Sequence, residues 1–206
     1  MEKTKPWFDD RDPSKEFFGL LSNDEINFVK EVNVFFNENG TFTQEISRDF
    51  MVLLDFNSYE NFEIQYPLFR WVCQNTEINK VNNIYWFPLG VDFYEYNPIM
   101  IAKTSVDYCY LEIISASMMQ MLNGSYCAID KNRNFLAIVV DGYYLMLALK
   151  KGIYFNYSKK IIQYMNNWSK LRELSDVVVL PTLEKVRHYY NNIDLLNANN
   201  ILSQRI

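Results

Sequence analysis

Apolar positions recur every three or four residues after Ser22-Asn23-Asp24-Glu25. Ile26, Val29, Val32 and Phe36 share one helical face, and Gly40 marks its end. Ser22 and Glu25 stand at capping-box spacing, so the hydroxyl can take the N3 amide proton while the carboxylate reaches back to the N-cap amide. The period then shortens. Residues 41–46 and 50–56 read as strands, and Phe50-Met51-Val52-Leu53-Leu54 is continuous enough for a central strand buried on both faces. Residues 59–75 fit either period, with Pro67 starting a helix that carries Leu68, Trp71 and Val72. Asn82-Asn83 predicts a turn, and 84–87 a strand halted by Pro88 and Gly90. A short strand is expected at 99–102. Residues 106–122 favour a helix through Leu111, Ile114, Met118 and Leu122, with a strand at 108–114 as the rival reading.

The strongest β signal follows. Residues 125–129 and 135–140 flank the polar loop Asp130-Lys131-Asn132-Arg133-Asn134, and Asp141-Gly142, suited to a type I′ turn, leads into 143–149. That is a β-meander over about 125–149, which Gly152 is expected to end. Residues 158–174 read as an amphipathic helix with Ile161, Ile162, Met165, Trp168 and Leu171. Residues 177–180 form a short strand or buried linker, and Pro181 opens a closing helix through Val186, Tyr189, Tyr190 and Ile193. Residues 1–13 read as an irregular arm and 195–206 as a fraying tail. The pattern predicts a single α+β domain over 1–206, a mostly antiparallel sheet packed by N- and C-terminal helices.

Composition sharpens this. A chain of 206 residues hides roughly 70% of the surface its unfolded form exposes, enough for one sizeable core without staples. Six Gly and six Pro leave little material for a long linker. Cys73, Cys109 and Cys127 are odd in number, scattered and set among apolar residues, so they read as small buried hydrophobes in a reducing compartment. No signal peptide or membrane span is expected, and the localisation expected is cytoplasmic.

Charge is uneven. Residues 1–100 hold 17 acids against 8 Lys and Arg, a net of −9, whereas residues 101–206 hold 8 against 12, a net of +4. An acidic first half argues for a basic partner and against nucleic acid.

Little generic chemistry is available. A histidine triad or base would have to use His188, the one histidine. No phosphate-cradling glycine motif or zinc-ligand spacing occurs, and the 130–134 loop lacks the sixth-position glycine of a calcium loop, with Phe135 there instead. No cofactor and no metal are expected. Carboxylate pairs such as Asp92 and Glu95 could serve glycoside-type hydrolysis. The better lead is aromatic and acidic: Trp86 in Tyr85-Trp86-Phe87, and Asp92, Phe93, Tyr94, Glu95 and Tyr96 in the following loop. Rigid aromatics are the usual anchors of binding hot spots, and neighbouring acids suit a basic surface. The pairs Lys150-Lys151 and Lys159-Lys160 around Ile153-Tyr154-Phe155 could instead serve a phosphate-bearing ligand or nucleic acid.

In composition the chain is similar to bacterial polymorphic-toxin immunity proteins. That resemblance implies a non-enzymatic, protein-binding factor, an immunity protein, antitoxin or phage-encoded inhibitor that neutralises a basic toxin or nuclease by occlusion. The alternative is a small enzyme or ligand-binding domain using carboxylates in an aromatic pocket.

Overall fold

A computed structural model describes residues 21–37, 40–56, 58–60, 63–75, 78, 83–88, 102–105, 126–140 and 144–169. The expected helices at 106–122 and 181–193 lie outside them, as do the arm, the tail, Cys109, His188 and the Asp141-Gly142 turn.

Helix α1 spans Asn23–Val32 and carries the predicted capping box. Ser22 Oγ accepts from the Glu25 amide at 3.3 Å, and Glu25 Oε2 accepts from the Ser22 amide at 2.8 Å. The helix stops short of the expected end. Asn33–Phe35 tightens to a 3-10 turn, and Phe36 enters a short strand instead of the helical face. Val34-Phe35-Phe36 is a run of poor helix formers, and Gly40 at φ 81° turns the chain back so that β1 (Phe36–Asn37) pairs with β2 (Thr41–Phe42). The strand expected at 41–46 is thus only two residues long, and a one-turn helix α2 (Ile46–Asp49) follows it.

Next come β3 (Phe50–Phe56), the paired strands β4 (Ser58–Glu60) and β5 (Glu63–Gln65), and helix α3 (Pro67–Gln74) with Pro67 in its first turn. The remaining elements are β6 (Asn83–Pro88), β7 (Ala102–Ser105), β8 (Tyr126–Asp130), β9 (Phe135–Val140), β10 (Tyr144–Lys150) and α4 (Lys151–Ser169). Six of these strands form one antiparallel sheet in the order β3-β10-β9-β8-β6-β7, with the predicted meander β8-β9-β10 at its centre. Strand β3 lies at one end of this order, not in the middle. Its continuous apolar run is still explained, because Val52, Leu53 and Leu54 are all buried under helices on both faces.

Alternation along the strands sorts the core into two layers. One face offers Leu53, Trp86, Tyr126, Phe135, Leu145 and Leu147 to Leu68, Phe69 and Val72 of α3 and to Tyr154 and Ile161 of α4. The other offers Val52, Leu54, Phe87, Ile129, Ile138 and Met146 to Ile26, Val29 and Val32 of α1. Cys73 belongs to the first layer and Cys127 to the second. Both are free thiols pushed well above their ordinary pKa by burial, which fits the small-hydrophobe reading.

Helix α4 corrects the expectation for Gly152. It starts at Lys151, directly after β10, seven residues before the predicted start. Gly152 sits in its first turn, exposed, with open space where a Cβ would stand. Gly152→Ala is therefore expected to stabilise the fold by about 0.4–1 kcal/mol by narrowing the unfolded ensemble. A urea midpoint that fell on this substitution would place the residue outside a regular helical turn.

Candidate functional site

Trp86 does not offer its ring to a partner. It is 2% exposed and packs edge-on to Phe69 at 6.0 Å, with Tyr126 also at 6.0 Å. Helix α3 covers its face of the sheet, so the indole is a core anchor, and its assignment to a partner surface is corrected accordingly. Asp92, Phe93, Tyr94, Glu95 and Tyr96 lie outside the described residues.

The neighbouring side chain, Tyr85, points to the opposite face and joins a polar hub under α1. Its hydroxyl donates to Glu25 Oε1 at 2.9 Å, and Lys103 Nζ from the edge strand β7 donates to both Glu25 oxygens at 3.0 and 3.1 Å. Ser22 Oγ donates to Glu25 Oε2 at 3.0 Å. The Lys103 and Glu25 side chains are only 17% and 14% exposed. Partial burial raises the Glu25 pKa, but the hydrogen bonds from the Ser22 amide, Lys103, Tyr85 and the Ser22 hydroxyl outweigh it and hold the carboxyl at about 2. The Tyr85 hydroxyl is driven up by burial and by the adjacent carboxylate. One residue thus caps α1 and ties it to two strands.

A second tie runs from the β8–β9 turn. The Arg133 guanidinium lies 5.4 Å from the Phe28 ring centroid and pairs with Glu31 at 3.3 Å, while Phe28 packs on Tyr85 with centroids 5.6 Å apart. The ion pair is exposed and contributes little by itself.

Two further carboxylates are buried among the described residues, and both serve the backbone. Asp55 Oδ2 accepts from the Phe69 amide at 2.7 Å. Tyr66, the N-cap of α3, makes no side-chain cap, so a strand residue satisfies an amide of that first turn. Asp130 is fully buried at the end of β8. Its Oδ1 accepts from the amides of Asn134 at 2.6 Å and Phe135 at 3.0 Å, its carbonyl accepts from the Arg133 amide, and Arg133 takes the left-handed φ of 54° that closes the turn. Oδ2 has no hydrogen-bond partner among the described residues. Burial raises the Asp130 pKa, while the amides of Phe135, Asn134 and Asn132 and the Asn134 side chain pull it partly back.

A group whose folded pKa is raised gives stability that is lost as pH rises through that folded value. Asp130→Asn keeps the Oδ1 acceptor and removes the charge. Its stability relative to the natural chain is expected to improve in urea titrations as pH rises above the ordinary carboxyl value of 3.8. A variant that falls behind as pH rises would show that the turn amides favour the ionised carboxylate.

Two outward-facing sets each carry an exposed large apolar side chain. On α1 and the 3-10 turn, Asp24, Asn27, Glu31 and Val34 form one exposed ridge, and Val34 is 61% exposed. On α4, across the sheet, Phe155 is 64% exposed among Asn156, Lys159 and Lys160. Val34 and Phe155 are the two large apolar side chains left exposed among the described residues.

No family model, curated protein or solved structure matches this chain. Among the described residues, no helix is long and apolar enough to cross a membrane, and no group of three or more His, Cys, Asp and Glu could hold a metal ion.

Proposed function

We propose that the chain is a non-enzymatic protein-binding factor of the immunity-protein or antitoxin kind, acting in the cytoplasm to neutralise a basic partner by occlusion. The observation that carries this reading is the α1 ridge. Asp24 and Glu31 flank Asn27 on an exposed helix face that ends at the uncovered Val34. Acids on such a ridge steer a cationic surface and raise the association rate, while an apolar end gives a small patch to desolvate. The ridge is pre-positioned: the Glu25 hub and the Phe28–Tyr85 contact fix α1 on the sheet, so little ordering entropy is lost on docking. The acid–aromatic run Asp92, Phe93, Tyr94, Glu95 and Tyr96 belongs to the same reading.

Affinity capture from the native host with the natural chain and with Asp24→Lys/Glu31→Lys tests it. The expected result is a basic protein retained by the natural chain and lost with the reversed ridge. Equal retention by both would contradict the ridge as the docking face.

A further inference from the structure

We propose that the outer face of α4 binds single-stranded nucleic acid, a surface separate from the α1 ridge and independent of its role. Residues 151–169 contain three lysines and no acid. Tyr154 and Ile161 fix the buried side of the helix against the sheet, with Ile153 and Tyr157 packed beside them. Gly152, Phe155, Asn156, Lys159, Lys160 and Gln163 consequently form a continuous exposed stripe.

Lys151, Phe155 and Lys159 stand four residues apart, one above the other on the helix, in steps of about 6 Å. The Phe155 ring touches its neighbour Tyr154 edge-on at 5.6 Å and is otherwise open. Lys151 Nζ donates to the Arg48 carbonyl at 2.8 Å, and Lys160 Nζ lies 5.8 Å from the Tyr157 ring centroid, so two cations are held near the surface. Lys150 and Lys159 are exposed and make no ion pair among the described residues.

A cation–aromatic–cation column matches a chain that alternates phosphates with flat bases. Lysines follow the backbone and the ring stacks a base without regard to sequence. A bilayer would need a wide free apolar face, which α4 has already buried against the sheet. The net charge of −5 does not oppose the local contact, because at physiological salt the screening length is about 8 Å and the nearby lysines dominate.

The test is fluorescence anisotropy of the full chain with labelled ten-nucleotide oligo-dT and oligo-U strands, a duplex of equal length, and polyglutamate, at salt from about 50 to 300 mM. Single strands are expected to bind best. Two to four phosphate contacts predict a log–log salt slope of roughly −1.4 to −2.8. Phe155→Ala should weaken binding roughly 5- to 100-fold with an unchanged thermal midpoint, and Lys159→Glu/Lys160→Glu should abolish it. The proposal is overturned by no single-strand binding at the lowest salt, by equal binding to duplex or polyglutamate, or by a Phe155→Ala variant that binds as the natural chain does.

Discussion

Trp86→Ala is expected to lower the unfolding free energy by about 3–5 kcal/mol, the range for truncating a large aromatic in a well-packed core. The indole is 2% exposed, contacts Phe69 and Tyr126, and sits in the layer shared by α3, α4 and five strands of the sheet. Truncation removes the transfer energy of the ring and leaves a cavity that rigid neighbours fill only in part. Domains of this kind are stable by only about 5–15 kcal/mol, so the loss takes a large share of the total. Trp86→Phe keeps an aromatic in place and should lose less than half as much. Urea denaturation followed by far-UV circular dichroism reads both. A Trp86→Ala chain of unchanged stability that failed to hold a partner would put the ring on a binding surface instead.

Glu25→Gln is expected to cost about 2–3 kcal/mol at pH 7, because it leaves the Lys103 ammonium, itself 17% exposed, without its counter-charge. The pKa displacement gives the same scale. A carboxyl held at about 2 against an ordinary 4.5 corresponds to roughly 3 kcal/mol. The sign follows from the direction. A depressed folded pKa contributes stability that is fully present above 4.5 and is lost as pH falls from there towards 2. The natural chain should thus lose more stability than Glu25→Gln between pH 5 and 2, and the two curves should converge at the acid end. Parallel curves would mean that the carboxylate is not held by the hub.

How much of this was legible in the sequence depended on range. The Ser22–Glu25 capping box and the bounds of β3 and β9 come from neighbours within a few residues, and they were found where the pattern placed them. The meander followed from polar turns between apolar runs. The start of α4 was hidden because Ile153-Tyr154-Phe155 are strong β formers. Only burial of Tyr154 and Ile161 against the sheet overrides that local preference. The hub was invisible for a different reason: Glu25 finds Tyr85 and Lys103 at separations of 60 and 78 residues, which no local period encodes. Trp86 shows the same limit. Ile84-Tyr85-Trp86-Phe87 is apolar at every position, so alternation cannot tell which ring will lie under a helix.

The α1 ridge is tested most directly by the association rate between this chain and its captured basic partner, measured by stopped-flow fluorescence as salt is raised. Steering by Asp24 and Glu31 predicts a rate that falls steeply, by about ten-fold or more between low and high ionic strength, with most of that slope removed by Asp24→Lys/Glu31→Lys. An association rate independent of salt, or a slope untouched by reversing the ridge, would contradict it.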